Sequence, residues 1–157
     1  MKKWFILLGT GAVFLGLLWS HLYVWFPCRL VGLFAPANAS VWEQLKPLFW
    51  PPVLTALILG RRFGQTRIWC AFSPCLLLMP LTELGLYYLA AAGFGVTGIW
   101  LGLYLLICAG GFALAYRRAV WEQSGRFGGV CLMLAGIYGS ALVLFSVAAP
   151  PFPIFLP

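Results

Sequence analysis

The sequence predicts an all-α integral membrane protein, a bundle of five transmembrane helices with a re-entrant or surface loop between the first and second helices. The first observation behind this class is composition, since 63% of the 157 residues are hydrophobic and only 8% are charged. Soluble domains carry about 25% charged residues. The composition therefore excludes a disordered chain and argues against a water-soluble one. The second observation is a set of five long apolar stretches.

Each of these stretches is long enough to cross a bilayer, whose apolar core of about 30 Å needs roughly 20 helical residues. The predicted spans are 4–26, 41–60, 68–92, 98–116 and 129–149. Lys2 and Lys3 precede the first stretch as in a signal peptide, but the stretch is too long and no small-x-small cleavage site follows it. We therefore interpret residues 4–26 as a retained helix and residues 1–157 as a single transmembrane domain.

The positions of Lys and Arg predict the orientation, because cytoplasmic loops accumulate these residues. If the N-terminus is inside, most of the basic residues face the cytoplasm, namely Lys2, Lys3, Arg61, Arg62, Arg67, Arg117, Arg118 and Arg126. Arg29 and Lys46 then lie on the outer side. We predict a multi-pass protein of a bacterial cytoplasmic (inner) membrane, with the C-terminus outside. The net charge of +7 does not indicate a nucleic-acid partner, because the basic residues form small groups between apolar runs.

Ionisable residues within the spans are the strongest functional signal, because each costs a few kcal/mol at the bilayer centre unless it is paired or hydrated. The helical rise places His21 about 8 Å and Glu83 about 13 Å below the outer ends of their spans. Further polar residues lie in the outer loop and at the start of the second span. The predicted ligand-binding site consists of His21, Asn38, Ser40, Glu43, Lys46 and Glu83.

Plainer structural roles explain several of these residues equally well. Ser40 and Glu43 have the spacing of a capping box, in which the hydroxyl and the carboxylate each bind a free amide at the helix start. Glu43 and Lys46 lie three residues apart and can form an ion pair on one helix face. Glu83 could be a protonated side chain that is hydrogen-bonded to a neighbouring helix. In that case Glu83 would not contact His21 or Glu43.

Proline positions predict an irregular outer half of the second span. Pro47, Pro51 and Pro52 each lack an amide donor and would release the carbonyl four residues earlier. The preceding segment, Pro27 to Ala39, is too short to span the bilayer. It either dips back into the membrane or lies on its surface, and in both cases we expect it to cover the polar residues as a lid.

One stretch around these polar residues resembles a known family. The pattern Ala35-Pro36-x-Asn38-x-Ser40-Val41-Trp42-Glu43-x-x-Lys46, with His21 before it and Pro150-Pro151-x-Pro153-x-Phe155 at the chain end, resembles a family of small bacterial polytopic membrane proteins of unknown function. The resemblance covers the first two spans and the tail, and it implies a topology but no activity. Ala39, Gln44 and Phe152 stand where family members commonly carry Glu, His and His. A metal site or acid/base pair built on those positions is therefore not expected.

Three classes of function are compatible with these features. The first is a protein whose outer-leaflet polar pocket binds, or helps to transport, a small polar molecule, an ion or a lipid head group. The second is a non-catalytic partner or assembly subunit that packs through glycine-rich helix faces. The third is an intramembrane enzyme using His21 with Glu43 or Glu83, although the catalytic residues cannot be assigned.

The expected partners follow from the same reasoning. They are the lipid bilayer, a small polar ligand or lipid, and a membrane protein partner or a second copy of the chain, but no nucleic acid. No cofactor is expected, because no ATP-binding loop, haem-binding pair or dinucleotide glycine pattern occurs in a suitable context. No metal is expected either, since Cys70 and Cys75 lack a nearby His.

The predicted topology can be tested with a reporter fused after Pro157. We expect the reporter to be active on the periplasmic or extracellular side, because the basic loops hold the opposite ends of the helices in the cytoplasm. Cytoplasmic activity of an intact fusion would contradict the orientation and would place the polar residues on the inner side.

Overall fold

The computed structural model describes residues 1–38, 40–95, 100–121, 126–151 and 153–155, and this part of the chain folds into helices without strands. The helices are α1 (Lys2–Trp25), α2 (Arg29–Phe34), α3 (Val41–Gln44), α4 (Lys46–Phe63), α5 (Gln65–Tyr88), α6 (Trp100–Val120) and α7 (Arg126–Val147). A π-helical turn, Leu89–Gly93, extends α5, and a 3-10 turn, Pro153–Phe155, follows α7. The predicted all-α class is confirmed.

Helix α5 is the centre of the bundle. It packs against α4, α6 and α7, while α1 packs against α4 and α6. Over its most apolar stretch 56% of the residues of α5 are buried, against 22% for each of α1, α6 and α7. The outer helices therefore present large apolar side chains outward, such as Leu7, Leu106 and Ile137. Such a surface suits lipid far better than water.

Among the residues that the structure describes, four helices, α1, α5, α6 and α7, are long and apolar enough to cross a membrane. This finding indicates a multi-pass membrane protein. Helix α4 differs from them, because it has only 18 residues and includes Lys46, Arg61 and Arg62. The fifth span therefore stays a prediction.

The predicted second span is divided into two helices near its start, which agrees with the irregular outer half that its prolines predict. Helix α3 ends at Gln44, and α4 begins at Lys46. Pro47 explains the break, because it lies in the first turn of α4, where its missing amide costs nothing. Pro51 and Pro52 lie inside α4, and the Thr55 hydroxyl donates to the Pro51 carbonyl at 3.0 Å.

The two ends of the bundle differ in charge. At one end the Arg62 guanidinium lies 4.2 Å from the centroid of the Trp4 ring, and Arg67 Nε donates to the Ala119 carbonyl at 2.6 Å. These contacts bring the basic ends of α1, α4, α5 and α6 together. The short helices α2 and α3 and the 3-10 turn lie at the opposite end. The predicted polar residues of the outer loop therefore lie at the less basic end of the bundle.

The crossing of α1 and α6 depends on a glycine. Gly16 is buried, and a Cβ atom there would overlap the Tyr104 hydroxyl and come within 3.2 Å of the Pro47 carbonyl. The Tyr104 hydroxyl also donates to the Val13 carbonyl at 3.1 Å, so its position is fixed. Close approach of α1, α4 and α6 therefore requires glycine at this position.

We expect Gly16→Ala to lower the free energy of unfolding by about 1–3 kcal/mol, the usual cost of overpacking a tight contact. Gly11→Ala is the matched control on the same helix, since a Cβ atom there has no neighbour within 4 Å. The control should leave stability unchanged or raise it by up to about 1 kcal/mol through helix propensity. Thermal denaturation in a mild detergent measures both. Equal melting temperatures for the two variants would contradict the close packing at Gly16.

Candidate functional site

A fully buried lysine lies at the centre of the polar residues. Lys46 is 0% exposed, and its ammonium donates to Glu43 Oε2 at 2.6 Å, to the Gly32 carbonyl at 2.7 Å and to the Ala35 carbonyl at 3.2 Å. An ammonium group has three donors. All of them are used, so the predicted ion pair between Glu43 and Lys46 is confirmed.

The Glu43 carboxylate connects this lysine to two other parts of the chain. Glu43 is 4% exposed, and its Oε2 atom also accepts the Ala37 amide at 2.9 Å. Its Oε1 atom lies 3.1 Å from the Ser146 hydroxyl of α7, whose single hydrogen is shared with the Leu142 carbonyl at 2.7 Å. The carboxylate therefore ties the segment after α2 to the start of α4 and to the end of α7.

The start of α3 is capped in a way that the sequence predicts only in part. Ser40 Oγ accepts the Glu43 amide at 3.4 Å, which confirms Ser40 as the cap. The second half of the predicted capping box is wrong, because the Ser40 amide donates to Asn38 Oδ1 at 2.9 Å instead of to Glu43. The physical reason is that Lys46, Ala37 and Ser146 occupy the Glu43 carboxylate.

These groups form one hydrogen-bonded cluster, which we call the Lys46 network. Its members are Gly32, Ala35, Ala37, Asn38, Ser40, Glu43, Lys46 and Ser146. The outer loop contacts two of the predicted polar residues, because its carbonyls bind Lys46 and the Ala37 amide binds Glu43. Trp19 Nε1 also donates to the Phe34 carbonyl at 2.8 Å and holds α2 against α1.

The network brings together four of the predicted site residues, Asn38, Ser40, Glu43 and Lys46. Their polar groups contact one another and the backbone, so they close the loop onto the bundle instead of lining an open polar pocket. Ala39 and Phe152, two of the positions that depart from the family pattern, lie outside the described residues.

His21 is not part of the Lys46 network. It is exposed on α1, and its Nδ1 atom lies 3.0 Å from Ser20 Oγ and 3.1 Å from the Leu17 carbonyl. Its ring neighbours that of Trp25, with the centroids 6.4 Å apart. These contacts of the histidine are thus with residues of its own helix.

Glu83 is also separate from the network. It is 0% exposed on α5, and neither carboxyl oxygen has a hydrogen-bond partner among the described residues. Tyr104 and Cys108 of α6 interact with it electrostatically. Direct contact among His21, Glu43 and Glu83 is therefore not observed in the described part of the chain. The neighbouring hydroxyl partner that the plainer interpretation assigns to Glu83 is not observed there either.

A large apolar groove between α4, α5 and α7 is a feature that sequence reasoning missed. Its volume is about 1370 Å³, and Leu33 of α2 lies at its edge. Gly136 and Ser140, two small residues of α7, line the groove, and so does Trp50 of α4. The sequence signal for this feature was the glycine-rich helix faces, which we assigned to packing against a partner.

Aromatic side chains surround one part of this groove. Phe49 contacts Trp50 and Tyr138, with ring centroids 5.0 Å and 5.4 Å away. Trp42 in turn lies 6.0 Å from Tyr138. Trp42 Nε1, Trp50 Nε1 and the Tyr138 hydroxyl are buried and have no hydrogen-bond partner among the described residues. Buried donors of this kind are rare in folded proteins and call for an acceptor.

Comparison with known protein families, with curated proteins and with solved structures gives no match for this chain. The resemblance to the bacterial membrane family therefore stays a prediction. The function must be inferred from the Lys46 network, the groove and the buried carboxyl group of Glu83.

We expect Lys46→Met to lower the free energy of unfolding by about 3–5 kcal/mol, because it leaves the buried Glu43 carboxylate unpaired. Adding Glu43→Gln should recover part of this loss, since the double variant buries no charge and keeps an acceptor for Ala37.

Ser40→Ala should cost about 1 kcal/mol through the lost cap. His21→Ala is the control and should have little effect, because His21 lies outside the network. Denaturation curves in detergent measure all four. The Lys46 network would be disproved if Lys46→Met were as stable as His21→Ala.

Proposed function

We propose that this chain is a multi-pass membrane protein that binds an amphiphilic lipid. The acyl chain lies in the groove between α4, α5 and α7, and the head group lies at the end that the Lys46 network closes. The observation that carries the proposal is an open apolar groove of about 1370 Å³ whose wall includes the Trp50 side chain. In this proposal the N-terminus is in the cytoplasm of a bacterium and the lipid comes from the outer leaflet of its inner membrane.

The size and lining of the groove favour a lipid over a small polar molecule or an ion. Pockets for small molecules have volumes of roughly 300–1,000 Å³, and the groove measures about 1370 Å³. Its wall is formed almost entirely by hydrocarbon, which matches an acyl chain. Trp50 also lines the groove, and tryptophan is favoured where one end of the side chain is apolar and the other is wet, as at the head-group level of a membrane.

The Lys46 network has a structural role in this site. It fixes the segment after α2, and α2 packs against α7 beside the groove. Leu33, at the edge of the groove, is the neighbour of Gly32, whose carbonyl binds the Lys46 ammonium. The buried ion pair therefore determines where the polar end of the groove is closed.

A second candidate is the assembly subunit, with a partner's transmembrane helix in the same groove. The observation in its favour is the pair Gly136 and Ser140, which lie one turn apart on the exposed side of α7. Small residues at this spacing allow two helices to approach closely in a membrane. Transport of a polar solute and intramembrane catalysis have less support. Glu43 and Lys46 form an ion pair with each other, and His21 contacts residues of its own helix.

Filling the groove tests the lipid proposal. Gly136→Phe adds a ring at a groove position where a Cβ atom has no neighbour within 4 Å, so the fold should tolerate it. Gly110→Phe is the matched control, since Gly110 is equally open but lies on α6 outside the groove. We expect Gly136→Phe to reduce the phospholipid that co-purifies in mild detergent at least several-fold, measured by mass spectrometry, and Gly110→Phe to retain it.

Equal lipid content in the wild type and both variants would contradict lipid binding in the groove. Loss of a co-purifying membrane protein in Gly136→Phe alone, with unchanged lipid content, would support the assembly subunit instead.

A further inference from the structure

The carboxyl group of Glu83 is buried at the heart of the bundle without a hydrogen-bond partner. It lies on α5, the helix that packs against α4, α6 and α7, and it is 0% exposed. Neither of its oxygens is hydrogen-bonded within the described residues. Burial of an ionised carboxylate without a partner is far more costly than burial of a neutral carboxylic acid.

The groups around Glu83 do not neutralise a negative charge. Tyr104 and Cys108 of α6 interact with it electrostatically, and both side chains are neutral when protonated. The Tyr104 hydroxyl donates its hydrogen to the Val13 carbonyl of α1. Lys46 of α4 is bound by Glu43 and two carbonyls. On α7, the Ser146 hydroxyl donates to Glu43.

Glu43 and Glu83 differ in the hydrogen-bond donors that surround their carboxyl groups. Glu43 is buried to a similar extent, but it accepts hydrogen bonds from the Lys46 ammonium and the Ala37 amide. These donors stabilise the ionised form. Within the described part of the chain, Glu83 has no such donors. A bound proton is therefore what neutralises its carboxyl group.

We propose that Glu83 is a proton-binding site within the membrane. The carboxyl group holds a proton while α5 and α6 are in contact, and it releases the proton when water enters between them. The proton passes between a carboxyl oxygen and a water molecule, and no other bond forms or breaks. Ionisation then requires hydration of the α5–α6 contact, so the protonation state of Glu83 is coupled to the packing of these helices.

Infrared spectroscopy of the protein in lipid vesicles tests this proposal directly. The chain has three acidic side chains, and a protonated one shows a carboxylic acid carbonyl band that an ionised one lacks. We expect this band in the wild type at neutral pH. It should shift when all glutamates carry carbon-13, which assigns it to glutamate without any substitution. It should disappear in Glu83→Gln and persist in Glu122→Gln, the matched control.

A hydrophobic carbodiimide gives a second readout. A carboxylic acid adds across one C=N bond of this reagent, its proton goes to nitrogen, and the acyl group then migrates to nitrogen to give a stable N-acylurea. We expect peptide mass spectrometry to find this adduct on Glu83 and not on Glu43.

Two results would overturn the proposal. One is a wild-type spectrum at neutral pH without a glutamic acid band. The other is a band that disappears when sodium or potassium chloride is added, because a metal cation would then occupy the site. The lipid proposal is tested separately, because Glu83 does not line the groove and Glu83→Gln should bind phospholipid as the wild type does.

Discussion

The burial of one ammonium group constrains the architecture at one end of this protein. Lys46 has no solvent contact, so its three donors need acceptors within the protein, and a missing acceptor would cost several kcal/mol. One acceptor, Glu43, is local. The other two are carbonyls of the α2 segment, which must therefore fold back over the start of α4. Because Glu43 also binds Ser146, the same charge pair fixes the end of α7.

The surface of the rest of the bundle is explained by an apolar surrounding, the hydrocarbon of a lipid bilayer. The outer helices bury few of their residues and present leucine, isoleucine and phenylalanine outward, which lipid can cover at no cost. Polar groups inside such a bundle must be satisfied by other parts of the protein. The Lys46 network meets this requirement fully. Within the described part of the chain, the Glu83 carboxyl group does not meet it, and for that reason it carries the proposal of a bound proton.

The features that the sequence predicts correctly depend on short distances along the chain. The cap at Ser40 and the ion pair between Glu43 and Lys46 both join residues three apart, so helical spacing is sufficient to predict them. The break before Lys46 is also local, because Pro47 in the first turn of α4 marks it, and it agrees with the irregular outer half that the prolines predict.

Non-local features could not be obtained in this way. The helical rise gives the depth of His21 and Glu83 but not the direction in which each side chain points, so their expected convergence with Glu43 was not observed. The contacts of Ser146 with Glu43 and of Tyr104 with Val13 join residues far apart in sequence. The groove lies between three helices, with small residues such as Gly136 in its wall. The sequence does not show which helices are neighbours in space, so the groove could not be predicted.

The central claim is that the buried ion pair holds the segment after α2 closed over the bundle. Amide hydrogen exchange in lipid nanodiscs, resolved by residue, tests it most directly, because Ala37 and Ser40 lie outside the helices and donate their amides to Glu43 and Asn38. We expect both amides to exchange as slowly as those in the core of α5. Exchange of the Ala37 amide at the rate of an unprotected loop would contradict the claim.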